Sequence, residues 1–120
     1  MKRIVLSIAL LAAGLPAAGA FAHAFLDHAV PAVGSTIPTA PKQVQMFFTQ
    51  GLEPSFSGAT LATRDGQAVA TGAAMFDPQN PMEMVLNLPK LAPGHYKLSW
   101  HVVSVDTHRT EGSFSFDIQP

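Results

Sequence analysis

The sequence contains no cysteine, and this absence bounds the chemistry that the chain can perform. Disulfide cross-links and a cysteine nucleophile are both excluded, although an exported protein could have used disulfides. Charged side chains are also scarce, at 12% of the 120 residues, and there is one tryptophan. We therefore expect a small domain that is held together by its apolar core alone.

Long apolar runs are nearly absent, and the one that exists lies at the N-terminus. Two basic residues precede the uncharged run of residues 4–15, and Pro16 breaks it. The run is too short to span a membrane, and Ala20-Phe21-Ala22 supplies a small-residue cleavage pattern. We expect residues 1–22 to be a secretory signal peptide and residues 23–120 to be a mature domain that is not embedded in a membrane.

The pattern alone does not fix the position of the cut. Ala18-Gly19-Ala20 and Ala22-His23-Ala24 also satisfy the small-residue rule. We place the cut after Ala22 because it would make His23 the first residue of the mature protein. This choice rests on chemistry, since a terminal histidine offers a free amine beside its imidazole.

The charge balance of the mature domain excludes several partners. Removal of 22 of the 120 residues leaves 98, with five basic against eight acidic side chains and a net charge of −3 when the histidines are neutral. This balance gives no footprint for nucleic acid or for an anionic membrane surface. A chain of this length buries roughly two-thirds of its unfolded surface and can fold without a disulfide or a structural metal. A bound metal would therefore be functional rather than structural.

The remaining pattern is β throughout. Alternating apolar residues and turn signals predict about seven strands, at residues 25–30, 43–49, 59–63, 67–70, 82–88, 95–103 and 112–118. Asp65-Gly66 predicts a hairpin turn, and residues 71–81 are expected to form a loop. The side chains expected to face the core are Val44, Met46, Phe48, Met82, Met84, Leu86, Leu88, Tyr96, Leu98, Trp100, Val102, Phe114, Phe116 and Ile118. The sequence therefore predicts an all-β sandwich or barrel.

Candidate metal ligands lie at two places that are far apart in the sequence. Asp106 and His108 are two residues apart, so in an extended segment both side chains would leave the same face. The amine and imidazole of a terminal His23 would form a chelating pair. Three nitrogens and one oxygen in a tetragonal arrangement suit Cu(II). Taken alone, however, Asp-x-His is more often a turn in which the aspartate binds local backbone groups.

Four segments carry a resemblance to a known family, and they cover the mature chain in order. They are His23-Ala24-Phe25-Leu26, Pro31-Ala32-Val33-Gly34-Ser35, Phe56-Ser57-Gly58, and Trp100-His101-Val102-Val103-Ser104-Val105-Asp106-Thr107-His108 with Gly112. In these segments the chain resembles the CopC family, also called YobA-like, of periplasmic copper-resistance proteins. The last segment is the most specific of the four.

The resemblance implies a small Greek-key β-barrel or sandwich of immunoglobulin-like or cupredoxin-like form. It implies that one Cu(II) ion is held by the mature N-terminal histidine, an Asp and a His, which correspond here to His23, Asp106 and His108. It also implies a periplasmic carrier or buffer in copper homeostasis and resistance. The transfer partner implied is an inner-membrane copper transporter of the CopD type.

The chain departs from the family pattern at three positions. Gln50 stands where some members have a Glu, His101 stands where Arg is usual, and Arg109 stands where Pro is usual. Gln50 offers no carboxylate for a fourth acidic contact, whereas neither His101 nor Arg109 is expected to remove a ligand. Whether His28, His95 or His101 assists the site is left open.

The methionines bear on the oxidation state of the bound copper. Some CopC members carry a methionine-rich loop for Cu(I), which thioethers favour as soft ligands. The corresponding residues 71–81 hold one methionine, Met75, and no histidine, while Met46, Met82 and Met84 fall in strand patterns. We therefore predict a Cu(II)-only member.

Two other classes of function remain open. A histidine brace on copper also serves oxidative polysaccharide cleavage, but a single tryptophan that is expected in the core offers no aromatic platform for a polymer. A metal-free immunoglobulin-like structural domain would take up no copper at all. No serine can be tied to a His-Asp pair from the sequence, so we predict a protein that is not an enzyme.

Overall fold

The computed structural model describes residues 23–120, so the predicted signal peptide lies outside the described residues. The described part is all-β, as predicted, with one short 3-10 helix at Pro54–Phe56. Its nine strands are β1 Leu26–Val30, β2 Thr36–Ile37, β3 Gln43–Phe48, β4 Gly58–Thr63, β5 Ala68–Val69, β6 Met75–Asp77, β7 Asn80–Asn87, β8 Gly94–Val103 and β9 Arg109–Ile118. Between residues 23 and 120, no helix has the length and apolar character needed to cross a membrane.

The strands form two sheets that pack face to face. One sheet has the order β1-β3-β7-β6, and the other has the order β2-β9-β8-β4-β5. All pairings are antiparallel except that of β2 with β9. Because the two sheets do not close on each other, the fold is a sandwich rather than a barrel. The predicted hairpin at Asp65-Gly66 is present, since β4 pairs with β5 across it.

The core lies between the sheets and is built from alternating side chains. The buried set includes Val44, Met46, Phe48, Met84, Leu86, Tyr96, Leu98, Trp100, Val102, Phe114, Phe116 and Ile118, all of which were expected there. Trp100 meets Phe48 of the opposite sheet edge to face, with ring centroids 5.1 Å apart. Alternation therefore identifies the inward face of each long strand correctly.

The prediction of a loop over residues 71–81 is wrong for residues 75–77 and 80–81, which lie in strands. β6 lies within it and pairs with β7, with Met75 opposite Val85. The turn between β6 and β7 is closed by Asp77. Its carboxylate accepts hydrogen bonds from the backbone N–H of Gln79 and from the side-chain Nδ2 of Asn80. β6, with three residues, and β2, with two, are too short to show alternation. These two strands are the difference between the nine strands observed and the seven predicted.

Met82 was expected in the core and is instead 49% exposed. It lies beyond the last pair between β3 and β7, which joins Phe47 to Glu83. Met84 and Leu86, with the same parity, are fully buried because β3 runs beside them. The alternation therefore continues one position past the ladder between β3 and β7.

Candidate metal centre

The predicted ligands Asp106 and His108 lie in the connection from β8 to β9, which is a tight turn. The backbone N–H of Ser104 donates to the His108 carbonyl at 2.9 Å, and that of Thr107 donates to the Ser104 carbonyl at 2.8 Å. Thr107 has φ = +72°, a left-handed conformation that costs a non-glycine residue roughly 1–2 kcal/mol. Of the two interpretations, an extended segment or a turn, the structure shows the turn. The turn brings the two side chains together instead.

Asp106 and His108 are direct neighbours. Nδ1 of His108 lies 3.4 Å from Oδ1 of Asp106, and their side chains are 48% and 37% exposed respectively. The hydroxyl of Ser104 donates to the same Oδ1. This hydrogen bond is the main cause that lowers the pKa of Asp106 below its ordinary value; burial opposes the lowering, and His108 adds to it. The carboxylate is therefore held in its ionised form, which is the form that a carboxylate needs in order to bind a metal.

His23 reaches the same place from the other end of the chain. Its ring centroid lies 4.5 Å from that of His108, with the two rings inclined at 63°. The following residue, Ala24, is fully buried, and its carbonyl accepts a hydrogen bond from the hydroxyl of Thr110 in β9. The backbone N–H of the next residue, Phe25, donates a hydrogen bond to the hydroxyl oxygen of Thr49 at 2.9 Å. These contacts attach the N-terminal segment beside the start of β9.

The three predicted ligands form two adjacent pairs, His23 with His108 and His108 with Asp106. Within residues 23–120, no three histidine, aspartate or glutamate side chains are close enough together to enclose a metal ion. The donor set is nevertheless chemically suitable for Cu(II), because imidazole nitrogens and a carboxylate oxygen are donors that it accepts. The fourth donor depends on processing. While residue 22 is attached, the backbone nitrogen of His23 is an amide and cannot act as an amine.

The other histidines have different surroundings. His28 stacks on Phe47, with ring centroids 4.4 Å apart, on the outer face of its sheet. His95 pairs with Asp117 at 2.8 Å, near the opposite end of β8. His101 is half-buried on the outer face of β8, beside a glycine of β4. These positions favour local roles for His28 and His95.

Sequence reasoning missed Ser104 and Thr107. Ser104 is completely buried, and its hydroxyl contacts both predicted ligands of the turn. The signal available was a serine two residues before an aspartate, a spacing at which side chains commonly bind local groups in turns. Nothing in the residue type of Thr107 indicates a left-handed conformation, which follows from closure of the turn.

Charge is distributed unevenly along the sandwich. We define the site end as the end at which β8 passes into β9, and the far end as the opposite one. Six of the eight carboxylates in residues 23–120 lie in the half toward the site end: Asp27, Glu53, Asp77, Glu83, Asp106 and Glu111. Four of the five basic side chains lie toward the far end: Lys42, Arg64, Lys90 and Lys97. The site end is therefore negative, a field that attracts cations.

Fold and site together define a class of protein: a small β-sandwich domain with imidazole and carboxylate donors gathered at one negative end. Residues 26–119 match the CopC domain. The chain therefore belongs to the CopC family.

Similar proteins of known sequence and structure agree with this assignment. The chain is 35% identical to copper resistance protein C of Xanthomonas campestris pv. juglandis, over 98% of this chain and 97% of that protein. It is 33% identical to protein YobA of Escherichia coli K12, over 94% and 92% of the two chains. The crystal structure of CopC from Methylosinus trichosporium OB3b superposes with a TM-score of 0.78 at 33% identity, covering 82% of this chain and 95% of that one.

Proposed function

We propose that the mature protein begins at His23 and binds one Cu(II) ion through the amine and imidazole of His23, the carboxylate of Asp106 and the imidazole of His108. The observation that supports this most is the approach of the His23 and His108 rings to 4.5 Å, beside an ionised carboxylate. These side chains come from opposite ends of the sequence, and local structure alone does not require them to meet.

In this proposal the protein is a periplasmic copper carrier or buffer in copper homeostasis and resistance. Family membership supports a role in copper handling, since relatives that match nearly the whole chain are named copper resistance proteins. An exposed site suits a carrier, because a second protein can reach ligands that are one-third to one-half exposed. The recipient would be an inner-membrane copper transporter of the CopD type.

A Cu(II) titration of the protein that starts at His23 tests the proposal. We expect one Cu(II) per chain and a tetragonal electron paramagnetic resonance spectrum dominated by nitrogen donors. His108→Ala and Asp106→Ala should each weaken binding. His95→Ala is the matched control, because this histidine also pairs with an aspartate but lies near the far end. Absence of Cu(II) uptake, or equal losses in His95→Ala and His108→Ala, would contradict the proposal.

The oxidative-enzyme alternative receives no support from the aromatic side chains. Trp100 is 7% exposed and packs in the core, so it is not available to a polymer at the surface. A carrier needs no such platform. Turnover of a polysaccharide by the copper-loaded protein in the presence of a reductant would show that the alternative is correct.

A further inference from the structure

Ser104 has an unusual position for a polar residue. Within the part of the chain that the structure describes, it is the one buried polar or charged residue, with no exposed surface at all. It lies directly after β8, in an isolated bridge with Leu52. A buried hydroxyl must be hydrogen-bonded, because leaving it unpaired away from water is costly. Its partners therefore indicate why a serine stands at this position.

The hydroxyl of Ser104 contacts both predicted ligands of the turn. It donates to Oδ1 of Asp106 and accepts from the backbone N–H of His108 at 3.4 Å. A serine has a single O–H, and the ionised carboxylate is a stronger acceptor than the His108 carbonyl, which lies 3.3 Å away. The backbone of the turn is already closed by the bond from Ser104 N–H to the His108 carbonyl. The hydroxyl is therefore directed to the carboxylate rather than needed to close the turn.

We infer that Ser104 is a positioning residue for copper: its hydroxyl fixes the carboxylate of Asp106 so that Oδ1 faces Nδ1 of His108 and Oδ2 is left for the metal. This inference rests on the proposed function and names a residue that acts through a ligand without being one. A carboxylate beside Nδ1 also directs the other ring nitrogen, Nε2, toward the metal, as outer partners of metal-bound histidines commonly do.

The inference predicts a particular kind of coupling. Asp106 is more than one-third exposed, so without Ser104 its side chain would be free to rotate away from the site. Loss of an outer partner of a metal ligand typically costs roughly 10–100-fold in metal affinity. If Ser104 acts through Asp106, this cost should disappear once the carboxylate is absent.

A double-mutant cycle measures this coupling. Cu(II) affinity is determined by competition titration for the wild-type protein beginning at His23, for Ser104→Ala, for Asp106→Ala and for the double variant. We expect Ser104→Ala to weaken binding about 10–100-fold in the wild-type background and to have little effect in the Asp106→Ala background. Ser57→Ala is the matched control, because the Ser57 hydroxyl also lies at the site end but accepts from the Val103 N–H at 3.1 Å.

Two further measurements separate positioning from general support of the fold. The electron paramagnetic resonance spectrum of Ser104→Ala should shift toward that of Asp106→Ala, while Ser104→Thr, which keeps the hydroxyl, should retain the wild-type spectrum. Thermal unfolding of the copper-free proteins reports the structural cost alone. The Ser104→Thr arm also decides the matter if Ser104→Ala does not fold, because a folded threonine variant with the spectrum of Asp106→Ala would overturn the inference.

The outcomes distinguish this inference from the proposed function. Equal losses of affinity in both backgrounds, or no loss in either, would overturn the role of Ser104 while leaving the copper site in place. A wild-type protein that binds no Cu(II) would overturn both together.

Discussion

Replacement of Gly112 by alanine should destabilise the sandwich by an amount that the geometry allows us to bound. Gly112 lies opposite Trp100 in the ladder between β8 and β9. A Cβ at this position would lie 2.6 Å from Cζ2 and 3.0 Å from Cε2 of the indole. The ring cannot easily withdraw, because it is 7% exposed and meets Phe48 edge to face. Overpacking of this kind costs about 1–3 kcal/mol.

Unfolding by urea, which gives the free energy of unfolding, and by heat, which gives the melting temperature, provides the assay, and both are followed by the fluorescence of the single tryptophan. For a domain of this size, each kcal/mol should lower the melting temperature by about 4–8 °C. Gly72→Ala is the control, because a Cβ there meets nothing within 4 Å. It should be neutral or stabilise by up to about 1 kcal/mol. If Gly112→Ala proves as stable as Gly72→Ala, the packing of Trp100 against β9 has been described incorrectly.

Three further predictions concern the copper site. Cu(II) affinity should fall as the pH is lowered below neutral, because the amine and imidazoles must release protons to bind metal. The carboxylate of Asp106 should not contribute to this fall, because its lowered pKa keeps it ionised until stronger acid. An affinity that is flat between pH 7 and pH 5 would argue against nitrogen ligands. Cu(I) should bind weakly, and Met75→Leu should leave the Cu(I) affinity unchanged, since the Met75 sulfur already accepts a hydrogen bond from the Asn87 side chain at 2.9 Å. Tight Cu(I) binding that Met75→Leu abolishes would show that Met75 is a Cu(I) ligand. Cu(II) should associate more slowly with Glu53→Gln than with the far-end control Asp65→Asn when the rate is measured by stopped-flow fluorescence at low ionic strength. The difference between the two rates should vanish in high salt. Identical rates at low ionic strength would exclude attraction of Cu(II) by the site end.

The fold was largely predictable because its long strands alternate strictly. Tyr96, Leu98, Trp100 and Val102 share one parity in β8, and each is buried. Alternation depends on neighbouring strands, however, and it therefore fails at the limits of the sheets. Met82 continues the parity of β7 past its last pair with β3, and it is exposed. β6 is too short for any periodic signal.

The candidate site was predictable in its residues but not in its geometry. His23, Asp106 and His108 could be chosen from their chemistry and from the family pattern. The turn that joins the last two could not, because it depends on a left-handed Thr107 and on the buried hydroxyl of Ser104. The approach of His23 to His108 depends on tertiary packing, since it follows from the burial of Ala24 and its bond to Thr110. No local pattern encodes a contact of that range.

The central claim is that copper is bound by a histidine at the very start of the mature chain. The most direct measurement compares Cu(II) affinity for the protein that begins at His23 with that of a protein carrying one additional residue before it, with circular dichroism as the folding control. The extension converts the amine of His23 to an amide and leaves its imidazole in place. We expect it to cost more than the roughly 10–100-fold typical of losing an outer partner of a ligand. Equal affinity in the two proteins would contradict the proposed site.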